Sequence, residues 1–287
     1  MPFAYFFCQR YSIKVIRQTF NELSQSALVD PVTSVLRISC SPDLHPGGLI
    51  EISTVYFRSG YMPDEYPEPT HYNTRFLLER SKAIKCPTIA LQLAGGKKVQ
   101  EVLTRPGVLE RFLADKKKYG EHVFGEHEIN ELRVSFMAMW SLDVGDDMLT
   151  PDSTSGQEEF GVRKAREDAL SLVLKPQREG GGNNVYKEAI AGFLDTLAPE
   201  EHQAWIAMEL ITPPDTGNYL IRARAAASKT EVVSELGIYG WSLFGGPLKG
   251  VEEKQVGWLL RTKGKESNEG GVATGYSVLD SLLLIDQ

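Results

Sequence analysis

Three consecutive glycines, Gly180, Gly181 and Gly182, sit in the stretch KPQREGGGNN between Lys175 and Asn184. Glycine loses more backbone freedom on folding than any other residue, so such a run is ordered only where something must approach the backbone or a loop must move. Upstream, SLVLKP (171–176) reads as a strand; downstream, Val185, Ala189, Ile190, Phe193, Leu194 and Leu197 mark one apolar stripe of a helix. Strand, glycines, asparagines and helix in that order suit an anion cradle. Backbone N–H groups face an oxyanion, the helix adds its positive end, and Asn183 or Asn184 is the expected N-cap. Lys175 and Arg178 add positive charge. Glu179 would repel an anion unless Mg2+ stands between them, a cation that takes one or two carboxylates together with phosphate oxygens. No Lys-Ser or Lys-Thr follows the glycines, so this is not a Walker loop. The same ten residues also suit a flexible turn that caps a helix among surface charges.

A second loop of this texture, RTKGKESNEGGVATG (261–275), sets Arg261, Lys263 and Lys265 against a Gly-Gly pair and small residues, as a lid over an anionic substrate would. It equally suits a solvated loop near the C-terminus. A third candidate, FRSGY (57–61), places Arg58 at a strand end, where a guanidinium can clamp a carboxylate, although many such turns bind nothing. The formal net charge of −7 and pI near 5.4 argue against a nucleic-acid binder but leave room for a small anionic ligand. Cys8, Cys40 and Cys86 form no C-x-x-C pair, which points away from a disulfide framework or zinc site and towards a cytoplasmic setting. His122 and His127 read as a solvated helix face. No apolar run approaches the ~18 residues of a membrane span.

Along the chain, YSIKVIRQTF (11–20) and LIEISTVYFRSGY (49–61) alternate as strands do, and residues 30–48 between them read as a long surface loop holding at most a short strand. TRFLLERSKAI (74–84) has helical spacing. A second helix is expected over 98–114, interrupted at Arg105-Pro106-Gly107. Residues 115–132 and 144–161 read as surface structure joining two lobes. AWIAMELI (204–211), EVVSELGIYGWSLF (231–244) and QVGWLLRTK (255–263) read as strands, the second as a hairpin around 238–240. With 287 residues, two domains and an α/β (α+β) class follow.

Taken together, KPQREGGGNN, VVSELGIYG, VGWLLRTK, GGVATG with a later VLD, VYFRSGYMP, LLERSKAIKCP and QLAGGKKVQ resemble eukaryotic glutathione synthetase, an ATP-grasp ligase. The resemblance runs from about Ile13 to Asp280. It implies ATP-dependent ligation of glycine to γ-glutamylcysteine through an acyl phosphate. It also implies an ATP-grasp fold, with a Rossmann-like substrate-binding domain at 1–98 and an ATP-binding domain at 99–287. Carried across by position, Lys97 and Lys175 would contact ATP phosphates and Glu179 would hold Mg2+. Gly180, Gly181, Gly182, Asn183 and Asn184 would close over the phosphates beside Tyr186. Met208, Glu209 and Ile211 would line the adenine pocket, with Glu235 and Lys263 also facing the nucleotide. Arg58, Ser59, Gly60 and Tyr61 would bind the dipeptide. Arg261, the candidate catalytic residue, would meet a substrate carboxylate, and Val272 and Ala273 would belong to the small-residue lid. The implied partners are ATP, γ-glutamylcysteine, glycine and a second copy in a homodimer.

The family's chain is longer at its N-terminus, so part of the ATP-grasp core and further Mg2+ ligands are expected to lie outside these residues. The aromatic opening MPFAYFF fits that expectation, because it reads as the middle of a buried element. A non-catalytic nucleotide-binding remnant, or a fragment active only with a separate N-terminal chain, are the alternatives.

Overall fold

The computed structural model describes residues 8–42, 45–119, 123–143, 160–177, 182–214, 216–222, 226–245, 250–267, 270–272 and 275–282. The chain divides into two compact units, Met1–Ala94 and Gly95–Gln287.

The first unit contains α1 (Phe20–Ser26), β1 (Ala27–Val29), β2 (Leu36–Ser39), β3 (Leu49–Glu51), β4 (Thr54–Tyr56), α2 (Pro69–Arg80), β5 (Ile84–Cys86) and α3 (Ile89–Ala94). The strand expected at 11–20 does not form: residues 12–19 have no regular structure, and Ile13 and Val15 are exposed. Thr19 instead starts α1 through a capping box. Its hydroxyl accepts the Glu22 N–H at 3.2 Å while the Glu22 carboxylate accepts the Thr19 N–H at 2.6 Å. The expected surface loop at 30–48 contains β2, the central strand of an antiparallel β1-β2-β3 sheet, and Leu36 on it is 1% exposed. The expected strand at 49–61 is two strands in two sheets. The backbone changes partner at its middle, where Ile52 donates to Leu36 and Ser53 accepts from Ile84. β4 then pairs with β5 in parallel, which needs a crossover, and α2 supplies it. That helix begins with Pro69 at its first turn and stops at Arg80, where the Ser81 hydroxyl donates to the Leu78 carbonyl at 2.7 Å; Ile84 passes to β5.

The turn after β4 is braced from several directions. The Tyr61 hydroxyl donates to the Phe57 carbonyl at 2.5 Å, and the Tyr66 hydroxyl and Gln92 amide donate to the Gly60 carbonyl at 2.9 and 2.8 Å. Gly60 is required here: its φ is +85°, and a β-carbon would lie 2.6 Å from the Tyr66 hydroxyl. The Glu65 carboxylate accepts the Tyr61 and Met62 N–H groups at 2.8 and 3.0 Å. Burial opposes its charge, but the backbone donors of Met62, Tyr61 and Gly60 outweigh burial and hold it below its ordinary value.

The second unit contains α4 (Lys97–Thr104), α5 (Val108–Leu113), α6 (Lys116–Tyr119), α7 (Glu126–Val134), β6 (Met139–Ser141), α8 (Phe160–Glu167), β7 (Leu172–Pro176), β8 (Val185–Tyr186), α9 (Ala189–Leu194), β9 (Trp205–Glu209), β10 (Thr216–Leu220), β11 (Ser228–Phe244), β12 (Val251–Gly264) and β13 (Ser277–Asp280). Its strands form two antiparallel four-stranded sheets, β6-β9-β7-β8 and β10-β11-β12-β13. The helix break expected at 105–107 is present between α4 and α5. The expected surface stretch 115–132 supplies α6 and α7, with Ile129 buried, while residues 144–159 and His122 lie outside the described residues.

Two expectations fail here for the same reason. The glycine segment does not lead directly into a helix: it joins β7 to β8, with Val185 opposite Leu174 and Tyr186 opposite Val173. Helix α9 follows only at Ala189, and its N-cap is Glu188, not an asparagine. Nor is there a hairpin at 238–240. β11 runs unbroken for 17 residues and pairs with β12 from Val232 to Phe244, with Tyr239 opposite Gly257 and Gly240 opposite Gln255, so Val256 is an extra residue in a bulge. In each case pairing with the neighbouring strand replaced the helix cap or turn that the local residues suggested.

Helices α8 and α9 cover one face of the first sheet, packing Val162, Ala165, Ile190 and Leu194 on Leu172, Leu174 and Ala207. Gly161 makes that contact possible, since a β-carbon there would lie 1.8 Å from the Ser141 carbonyl oxygen. Gly161→Ala is therefore expected to destabilise the second unit by about 2–3 kcal/mol, measured by urea denaturation. In the first unit, Glu65 has a depressed pKa. Its contribution is present above the unfolded glutamate value of 4.5 and is lost as pH falls through the lower folded value. The Tyr61 and Met62 amides should lose protection from hydrogen exchange across that acid window, and Glu65→Gln should abolish the dependence.

Candidate functional site

Residues directly opposite one another in an antiparallel pair share a face, as do residues two apart on a strand. The registers therefore set Tyr186, Val173, Met208 and Met139 in one row across the first sheet, and Lys175, Ile206 and Ser141 in the next. This face is opposite the one covered by α8 and α9. It is well packed at its centre, where Val173 is 2% and Ile206 0% exposed. Lys175, Tyr186 and Met208 thus share one face. Glu209 stands one position further along β9 on the alternate side, and Ile211 lies exposed beyond the strand.

Helix α4 lies against β6 and β9. Its N-cap, Gly96, has no side chain to accept the first free N–H groups, and Gln177 supplies the missing acceptor: its Oε1 takes the Lys98 N–H at 2.8 Å. The Gln177 N–H in turn donates to the Ala204 carbonyl at 3.0 Å. The GGKK segment and the end of β7 are thereby joined directly, immediately before the glycines. Lys97 donates to the Gln100 side chain at 2.8 Å, and Lys98 to the Ser141 hydroxyl at 2.5 Å, with Asp143 3.6 Å away. Sequence reading missed Gln177, whose signal was its place between β7 and the glycines.

Glu179, Gly180, Gly181 and Ala273 lie outside the described residues. Gly182 has φ +86°, a conformation open to glycine, and Asn183 leads to Asn184, whose amide donates to the Tyr186 hydroxyl at 3.0 Å. Because no helix starts at the asparagines, the helix-end contribution to an anion cradle falls away; glycine backbone and lysine charge remain. Among the described residues, no group of three or more His, Cys, Asp or Glu could hold a metal ion. No described helix is long and apolar enough to cross a membrane.

On the second sheet, Glu235 stands opposite Arg261, and the two form an ion pair in which Arg261 Nε donates to the carboxylate at 2.6 Å. Lys263 lies two residues along on the same face, opposite Val233 and Ser277. The small-residue segment comes close, since a β-carbon on Gly270 would sit 3.7 Å from Glu235 Oε1. Ser277 holds that segment by donating through its hydroxyl to the Gly270 carbonyl at 2.9 Å, and Val272 accepts from the Gly275 N–H. The opposite face of β12 buries Thr262 completely, hydrogen-bonded to Ser234 and Asp280 at 2.7 Å each, a network that only the strand register reveals.

In the first unit, Arg58 is exposed over the Tyr56 ring, 5.9 Å from its centroid, with Nη1 3.5 Å from the Tyr56 hydroxyl. Ser59, Gly60 and Tyr61 form the braced turn already described, and the Tyr61 phenol serves as one of its braces.

A model of the eukaryotic glutathione synthase ATP-binding domain matches residues 10–284. Chloroplastic glutathione synthetase of Arabidopsis thaliana is 39% identical over 280 residues, covering 96% of this chain and 45% of that protein. Human glutathione synthetase is 41% identical over 272 residues, covering 94% of this chain and 51% of that protein. The chain spans about half the length of the curated relatives it matches. A glutathione synthetase-like effector of Globodera pallida, solved without ligand, superposes with a TM-score of 0.57 at 22% identity, over 95% of this chain and 50% of that one. That likeness bears out the mixed α/β class, with an architecture of the ATP-grasp type. Given a family match running from residue 10 to residue 284, the chain belongs to the eukaryotic glutathione synthase family.

Proposed function

We propose that the chain takes part in ATP-dependent ligation of glycine to γ-glutamylcysteine, the second unit binding ATP and the first the dipeptide. The observation that carries this reading is the Gln177–Lys98 bond: it joins the two lysine-bearing segments at the mouth of the glycine loop, while Lys175, Tyr186 and Met208 share one sheet face. Lys97 and Lys175 offset phosphate charge, Gly180 to Asn184 approach the phosphates, and Met208, Glu209 and Ile211 meet the adenine. Glu235 and Lys263 face the nucleotide from the second sheet. Glu179 is the carboxylate for Mg2+, which would neutralise charge on the phosphates. Arg58, Ser59, Gly60 and Tyr61 bind the dipeptide. Arg261 exchanges Glu235 for a substrate carboxylate, beside Val272 and Ala273.

In the reaction, the γ-phosphoryl group moves from ATP to the dipeptide's C-terminal carboxylate, releasing ADP. The glycine amine then attacks the acyl carbon and phosphate leaves. Water would destroy the acyl phosphate, so glycine-rich segments that close over the site serve the chemistry directly. A homodimer and a cytoplasmic setting complete the proposal. Because the chain spans about half of its relatives' length, a second reading holds that it binds nucleotide but turns over only with the remaining half.

The test is ADP release by the purified chain with Mg-ATP, γ-glutamylcysteine and glycine, each substrate omitted in turn. Release that needs both substrates is expected. Nucleotide binding without release favours the second reading, and no nucleotide binding by the folded chain overturns both. Lys175→Ala should weaken Mg-ATP binding roughly tenfold or more, as loss of a charge-assisted contact does, measured by calorimetry.

A further inference from the structure

Arg75, on α2, is 4% exposed, and its guanidinium carbon stands 3.6 Å from the centroid of the Phe57 ring. Its Nε and Nη2 bond Glu79 Oε1 at 3.0 and 2.9 Å, and Nη2 reaches the Pro87 carbonyl at 3.4 Å. A buried charge is an expensive way to cover an aromatic ring, since an apolar side chain would do so without desolvation. What the arginine adds is a planar fork that holds separate segments together. Phe57 directly follows β4 and Pro87 directly follows β5, so Arg75 clamps the carboxyl ends of the parallel pair, the place where open α/β sheets take ligands. The backbone closes the same clamp, because the Phe57 N–H donates to the Cys86 carbonyl at 2.9 Å. With the Phe57 ring held inward at 5% exposure, the alternation of the chain turns Arg58 outward.

We propose that Arg75 is a positioning residue for the γ-glutamyl dipeptide, acting through Phe57 on Arg58. This inference rests on the substrate reading of the first unit given above, and its test separates the two. Arg75→Lys keeps the charge but loses the planar stack and the fork. γ-Glutamylcysteine and Mg-ATP are titrated separately into the full chain and its variants by calorimetry. Dipeptide affinity should fall roughly five- to tenfold, as expected when a stacked cation is lost and its neighbour misplaced, while Mg-ATP affinity stays unchanged. In an Arg58→Ala background, Arg75→Lys should cost clearly less than it does alone. Equal dipeptide binding by Arg75→Lys, an additive loss in the double variant, or parallel loss of both ligands would overturn the inference. Amide exchange at Tyr61 and Met62 reads the turn without any ligand: it should quicken in Arg75→Lys, and unchanged exchange would also overturn the inference. If the unaltered chain binds no dipeptide, the substrate reading fails, and the exchange measurement still decides whether Arg75 holds the turn. Should Arg75→Lys not fold, Phe57→Leu keeps apolar bulk without the ring and is expected to show the same dipeptide-specific loss.

Discussion

Strand β7 is buried on both faces, with Leu172 and Leu174 turned into the helical core and Val173 packed on the other side. The rest of the second unit hangs on that double burial. A slip of one residue against β9 would carry Lys175 into the core and bring Leu174 to the face of Tyr186 and Met208, exchanging every side chain between environments. The apolar packing under α8 and α9 therefore fixes where the lysine points, although none of those core residues touches the face it lies on. At the end of the same strand Gln177 passes that fixed register on to α4, whose glycine N-cap leaves an amide in need of an acceptor.

What could be read from the sequence was whatever depends on neighbours in the chain. SLVLKP became β7 almost residue for residue, and the Arg105-Pro106-Gly107 break between two helices appeared where proline and glycine placed it. The failures depend on partners outside the stretch being read. Ile13 and Val15 alternate like a strand, but among the described residues no strand lies alongside to pair with them, and the local Thr19–Glu22 box starts a helix instead. The split at Ile52–Ser53 is decided by Leu36 and Ile84, and the two-residue strand after the glycines by β7.

The site divides in the same way. The glycine-rich and basic stretches suggested anion chemistry on their own while also suiting plain surface turns, and the nucleotide and dipeptide roles came from the resemblance to a family. Periodicity could not tell Met208 and Tyr186 from ordinary core. Their shared row with Val173, the pairing of Glu235 with Arg261 and the Gln177 acceptor all follow from strand register, which a single sequence does not encode locally. In the first unit, conversely, the sequence drew attention to Arg58, while the groups that aim it, Arg75 and the braces at Gly60, lie on α2, α3 and the turn itself.

The extra residue at Val256 bears on how this molecule lives in crowded solution. Beyond the cover of β10 and β13, β11 and β12 continue as a ribbon with large exposed side chains, among them Ile238, Trp258 and Phe244. A long, straight ribbon of that composition offers a template on which copies can stack without limit. The bulge between Tyr239 and Gly240 sharpens the twist and breaks the even spacing of edge donors and acceptors halfway along. One inserted valine thus changes the ribbon from an evenly spaced ladder into two offset halves, so neither edge presents an unbroken row of donors and acceptors along its full length.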